Sequence, residues 1–141
     1  MEIRDLVVRD LVIVGPAHTL RQAAQMMTGH RCGSAVVLTD EGPGILSERD
    51  VLRAVSEGAD LDGATVGDYM TWNAIVASST WDTLTAAKTM LENGFRHLVV
   101  VDGVEQMGIL SIRDLMAGHL GISRPSRRAE MNAAPATGEG Y

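Results

Sequence analysis

Hydrophobic positions along the chain fall into two series with the same internal order. Val12 to Val14 and Ile75 to Ala77 are short apolar runs, closed by Gly15-Pro16 in one case and Ser78-Ser79 in the other, and are predicted as short strands. Leu20, Ala23, Ala24 and Met27 then recur at helical spacing, with Thr19 placed as an N-cap. The second series offers Thr83, Leu84, Ala87 and Leu91 for the corresponding stripe, although Lys88 interrupts it. Ala35 to Leu38 and Leu98 to Val101 are continuous apolar runs, the pattern of strands covered on both faces. Asp40 to Pro43 and Asp102-Gly103 supply turns for a hairpin into a further strand. A short helix closes each series, Glu48 to Val55 and Ile112 to Ala117, with Gly58 and Gly118 as stops.

The repeat is plainest in "GILSERD" (Gly44 to Asp50) and "GILSIRD" (Gly108 to Asp114), which lie 64 residues apart. Thr19-Leu20 and Thr83-Leu84 share that spacing, whereas Ala35 to Val37 matches Leu98 to Val100 at 63, so a one-residue slip is expected between helix and strand. Each unit reads β-α-β-β-α: a crossover helix joins parallel strands and a hairpin adds an antiparallel one. The expected fold class is α+β (mixed α/β), two such repeats packed as a pseudo-twofold pair. A unit of about 60 residues is marginal alone, and two can share a core. The expected division is 1–62 for the first copy and 63–122 for the second, with 123–141, which lacks apolar periodicity, as a disordered tail.

The doubled "GILS-x-RD", the "TLRQAAQMM" and "TLTAAKTML" helices and the "FRHLVVVD" strand resemble a tandem pair of CBS domains, the regulatory arrangement called a Bateman module. The resemblance covers residues 1–122. It implies that the glycine, apolar pair, Ser and Asp form a nucleotide-ribose motif, with Ser47, Arg49 and Asp50 in one copy and Ser111, Arg113 and Asp114 in the other. It also brings in Ile13, Val76, Ala35 and Leu98 as apolar ligand contacts. Basic residues at the buried strand's entrance would reach across to the other copy's site. Arg96 and His97 would then serve the ligand on Asp50, whereas the ligand on Asp114 would face Gly33 and Ser34, with Arg49 and Arg113 as partial compensation. The Asp50 site is expected to bind more tightly or to take the more phosphorylated ligand, and the Asp114 site to be weaker or empty.

A second reading of the motif is purely structural. Ser-x-x-Asp is a helix capping box, the serine accepting an amide and the acid reaching back. The two readings are compatible, because an ionised carboxylate can accept ribose hydroxyls and a helix N-terminus favours phosphate.

Charge and composition narrow the partners. A net charge of −6 and a pI near 5.1 give no basic footprint for nucleic acid. The single cysteine, Cys32, excludes an internal disulfide, and no apolar run is long enough to span a bilayer. Charged residues interrupt the N-terminal apolar positions, unlike a signal peptide, so the cytoplasm is the expected compartment. His30 and Cys32 lack a second ligand pair for a metal, and "GPG" at 42–44 lacks the Lys-Ser/Thr of a phosphate loop. His18 and His119 read as surface residues. Met26, Met27, Met90, Met107 and Met116 read as core filling, and Trp72 and Trp81 as packing or interface anchors.

No nucleophile with a base and no metal cluster can be nominated, so a non-enzymatic role is expected, with no cofactor required. The leading reading is a sensor of an adenosine-containing small molecule, of the AMP, ADP or ATP class, with S-adenosylmethionine or NAD as further options. It would act on a separate effector protein. The competing reading is a ligand-free interaction scaffold. A homodimer is implied by the resemblance, with Val51, Leu52, Val55, Leu115 and Met116 as expected interface residues.

Overall fold

The computed structural model describes residues 1–103 and 106–122, so the tail expected at 123–141 lies outside the described residues. The first sheet has the order β1-β2-β3, with β1 Ile13–Val14, β2 Ser34–Thr39 and β3 Gly42–Ser47. The second has β4-β5-β6, with β4 Val76–Ser78, β5 His97–Asp102 and β6 Gln106–Ser111. In each sheet the first pairing is parallel and the second antiparallel, as the crossover helix and hairpin require. The helices are α1 Leu20–Gly29, α2 Glu48–Ser56, α3 Val66–Tyr69, α4 Thr83–Asn93 and α5 Ile112–Leu120, and Ile3–Leu6 forms a 3₁₀ turn.

Helix α1 begins at a full capping box: Thr19 Oγ1 accepts the Gln22 amide at 3.1 Å while Gln22 Oε1 accepts the Thr19 amide at 2.9 Å. It buries Leu20, Ala23 and Met27, the expected stripe. Helix α4 does not present the expected one. Leu84 and Leu91 are 73% and 76% exposed, and Ala86 and Met90 are the buried pair. The repeat spacing explains the difference. Ala23-Ala24 and Ala86-Ala87 lie 63 residues apart, so α1 and α4 share the register of the strands, and Thr19 corresponds to Asp82 rather than Thr83. The slip falls instead in the hairpin turn, which follows Thr39 by two residues in the first copy and Asp102 by three in the second.

The two copies exchange their leading segments. Ile3, from the start of the first copy, is buried with Leu98, Leu110 and Met90 of the second, and the Ile3 amide donates to the Trp81 carbonyl at 2.9 Å. Reciprocally, Val66 is buried in the first copy's core beside Leu20 and Leu46, and its amide donates to the His18 carbonyl at 2.8 Å. Backbone bridges complete the crossing, Val8 with Ile109 and Thr71 with Ile45. A third apolar cluster, Val36, Val99 and Ile109, joins the two sheets.

The crossing accounts for the glycine that opens each "GILS". A Cβ on Gly44 would stand 2.6 Å from the Thr71 carbonyl oxygen and meet Met70, and one on Gly108 would stand 2.9 Å from the Val8 carbonyl oxygen and meet Val7. Gly44→Ala is expected to lower stability by about 1–3 kcal/mol, read from the urea midpoint, because backbone rather than a flexible side-chain end must move. Gly118 is not the stop of α5. It lies inside the helix, where a Cβ would meet Leu6 at 2.7 Å, and Gly121 in the left-handed region ends the helix.

The first crossing segment is also tied by charge. Arg9 donates to Asp102 Oδ2 at 3.0 Å, and Ser79 Oγ donates to Asp102 Oδ1 at 2.9 Å. The Ser79 hydrogen bond, with Arg9 behind it, holds the Asp102 carboxyl below its usual value of 3.8. A depressed pKa contributes stability that is present above the unfolded-state value and lost as the pH falls through the folded-state one. The protection factors of the Val8 and Ile109 amides are therefore expected to fall on acidification below the ordinary carboxylate range, and Asp102→Asn to flatten that dependence.

Of the expected interface residues, Leu52, Val55 and Met116 are exposed, but Leu115 is buried in the second core and Val51 packs on the first. Met116 accordingly does not fill the core. Trp81 packs on the second core, and Trp72 is partly exposed, its indole donating to the Gly67 carbonyl at 3.1 Å.

Candidate ligand site

Crossing segment and strand entrance together form a cleft of about 370 Å³. The turn from β3 into α2 supplies Ser47, Glu48, Arg49, Asp50 and Arg53. Thr71, Ala74 and Ile75 come from the segment leading into β4, and Phe95, Arg96 and His97 from the approach to β5. Ile45 and Val99 line the apolar side. Five of the candidates named from the sequence, Ser47, Arg49, Asp50, Arg96 and His97, thus converge from two repeats on one cavity.

Asp50 is held by its own helix start. The Ser47 amide and hydroxyl donate to Asp50 Oδ2 at 2.8 and 3.1 Å, the capping-box arrangement. Its other oxygen lies 3.8 Å from Arg53, whose guanidinium also donates to the Tyr69 carbonyl at 3.2 Å and stacks 4.9 Å from the Tyr69 ring centroid. Arg53 escaped the sequence reading, although its i,i+3 spacing from Asp50 was a usable signal. The carboxylate is oriented on one side, and its side chain remains 19% exposed.

Helix amides contribute less than expected. The Glu48 amide donates to the Gly33 carbonyl at 3.0 Å, and the Asp50 amide faces Ser47 within the capping box. The cations are better placed for an anion. Arg49 and Arg96 both line the cleft, are exposed and form no side-chain hydrogen bond or ion pair among the described residues. His97 stands at the same entrance: a Cβ on Gly33 would lie 3.7 Å from its Nε2 and 3.5 Å from Glu48 Oε1. A carboxylate that can accept hydroxyls, two uncommitted guanidiniums and an apolar wall are the parts needed to hold a phosphorylated nucleoside.

Ala35 and Leu98 do not reach the cleft. They are buried in the two helix-covered cores, because successive strand residues point to opposite faces and it is Val36 and Val99 that face the other sheet. Ile13 and Val76 are exposed and lie outside the cleft lining, where Ile75 stands instead. Ser111, Arg113 and Asp114 form the same turn in the second copy. The Ser111 amide and hydroxyl donate to Asp114 Oδ2 at 3.0 and 2.6 Å, and Ser111 Oγ accepts the Asp114 amide at 3.0 Å. Arg96 and His97 line the Asp50 cleft, although their backbone adjoins this turn: the Arg96 carbonyl accepts the Ile112 amide at 2.8 Å and His97 pairs with Ser111. Among the described residues no three His, Cys, Asp or Glu side chains group as metal ligands, and no helix is long and apolar enough to cross a membrane.

Comparison with known proteins places these features in one family. The CBS domain family matches residues 3–57 and 66–120, each match beginning at a crossing segment. A 17.7 kDa protein of Acidianus ambivalens is 36% identical over 113 residues, covering 78% of this chain and 68% of the relative. The chain spans only 57% of the length of a Methanopyrus kandleri relative. A CBS-domain containing protein from Agrobacterium tumefaciens has a similar structure, with a TM-score of 0.76, 31% identity and coverage of 84% of this chain and 99% of that one. A CBS domain protein from Pyrobaculum aerophilum, solved in complex with AMP, has a TM-score of 0.74 and 29% identity over 95% of this chain and 100% of that one. Two family matches on two interlocked β-α-β-β-α units establish that the chain belongs to the CBS-domain family, as a tandem pair.

Proposed function

We propose that this pair is a cytoplasmic sensor that binds an adenosine phosphate of the AMP, ADP or ATP class in the Asp50 cleft and passes the signal to a separate effector protein. The observation that carries the reading is the convergence of Asp50 with the uncommitted Arg49 and Arg96 in one cavity built from both repeats. The AMP complex of the Pyrobaculum aerophilum protein supports the ligand class. The matched family is regulatory, and no enzyme family is indicated. Signalling then rests on differential binding: the ligand ties the β3–α2 turn to the β5 entrance and favours the arrangement in which they are close.

A thermal-shift panel with AMP, ADP, ATP, S-adenosylmethionine and NADH tests this directly. Binding confined to the folded state adds about 2.7 kcal/mol at a ligand concentration of a hundred times Kd. At least one adenosine phosphate is expected to raise Tm, and the shift is expected to shrink with added salt, since the Debye length falls from about 10 Å at 0.1 M to about 3 Å at 1 M. A competing reading, in which the motif serves only as a cap, is favoured by the formed capping boxes at both serines. It predicts no shift with any of the five.

The exposed Leu52, Val55 and Met116 support a homodimer built on the α2 and α5 faces. Light scattering at micromolar protein is expected to give twice the chain mass, and a monomer mass would refute the dimer.

A further inference from the structure

The two repeats are unequal where the second cleft would open. Ala74 lines the Asp50 cleft, and the residue 63 positions before it is Leu11. Both pack against the cluster of Val36, Val99 and Ile109 between the sheets, but leucine carries three more carbons into that space. The surroundings correspond. Thr71 bridges Ile45 ahead of Ala74 as Val8 bridges Ile109 ahead of Leu11. The consequence shows in the two isoleucines of the doubled motif. Ile45 is half-buried and lines the cleft, whereas Ile109 is only 3% exposed.

We propose that Leu11 fills the space beside Asp114 that Ala74 leaves open beside Asp50, so that the pair carries one adenosine-phosphate site rather than two, and that this residue alone sets the count. The nucleotide part rests on the function proposed above; the filling itself does not. At the second turn Arg96 and His97 are replaced by Gly33 and Ser34, so polarity and volume disfavour the same ligand there. Volume is the stronger obstacle, since a missing charge weakens binding whereas an occupied space forbids it.

Thiol labelling reads the filling without any nucleotide. In a Cys32→Ser background, Ile45→Cys and Ile109→Cys are modified with Ellman's reagent under native conditions. Cys at 45 is expected to react at least about tenfold faster than Cys at 109, where reaction requires local opening. Adding Leu11→Ala is expected to bring the 109 rate to that of 45, and adding Ala74→Leu to slow the 45 rate. Equal rates at 45 and 109, or a 109 rate unmoved by Leu11→Ala in a chain whose circular dichroism is unchanged, would overturn the filling. Calorimetric titration with the phosphate giving the largest thermal shift then reads the count: one per chain in the parent, none in Ala74→Leu and two in Leu11→Ala. Two per chain in the parent would overturn the count even with the labelling result intact. A parent that binds none of the panel would remove the nucleotide part and leave the labelling to decide the filling.

Discussion

Ile3→Ala is expected to destabilise the protein by about 2–5 kcal/mol, the cost of removing a fully buried isoleucine side chain and leaving a cavity. Ile3 is 0% exposed and packs in the second repeat although it stands at the start of the first. Its loss therefore weakens a core from which it is remote in sequence. Val66→Ala makes the reciprocal change in the first core and, being a smaller truncation, is expected to cost less. Because each repeat contributes a buried residue to the other, denaturant unfolding is expected as one transition for both variants and for the parent. Separate transitions for the two repeats, read by Trp fluorescence and far-ultraviolet circular dichroism, would show that the crossing does not couple them.

Asp50→Ala is expected to weaken adenosine-phosphate binding ten- to a hundredfold, since a hydrogen bond to a charged group contributes roughly 1.5–3 kcal/mol. The substitution also removes the capping-box acceptor of the Ser47 amide, so some stability falls with it, about 1 kcal/mol by analogy with other cap losses. Asp114→Ala separates the two effects. It breaks the same capping box, with Ser111 in place of Ser47, but does not touch the cleft that Arg96 and His97 enter. It is expected to match Asp50→Ala in the melting curve and to leave affinity at the parental value. Equal losses of affinity in both variants would contradict a ligand seated on Asp50. Arg96→Ala is expected to act oppositely, weakening binding and its salt dependence with little change in Tm, because its guanidinium has no partner among the described residues.

Much of this architecture was legible from the chain. Apolar runs bounded by Gly, Pro, Asp and Ser mark the strands and their order, and "GILS-x-RD" repeats the strand-to-helix turn that carries the acid. The α4 face was misread because the identity of Thr19-Leu20 with Thr83-Leu84 outweighed that of Ala23-Ala24 with Ala86-Ala87, although only the second pair keeps the 63-residue register of the strands. The crossing of the leading segments was not legible. Ile3 and Val66 are apolar residues in short polar stretches, and nothing local says which repeat will bury them. Ala35 and Leu98, which only the resemblance brings to the ligand, face the helix-covered cores, and a continuous apolar run does not reveal which alternate residues face which layer. Arg96 and His97 could be assigned to the Asp50 side only through family resemblance. Arg53, Thr71 and Ala74 enter the cleft through the turn of α2 and the crossing segment, which the pattern of strands and helices alone does not locate.

The central claim, that an adenosine phosphate sits between the two repeats on Asp50, is tested most directly by a crystal structure of the chain grown with the phosphate that gives the largest thermal shift. The account predicts the ribose hydroxyls on the Asp50 carboxylate, the phosphates within reach of the Arg96 guanidinium, and Leu11 still filling the space beside Asp114. A nucleotide bound anywhere else, or a cleft left empty at saturating ligand, would contradict it.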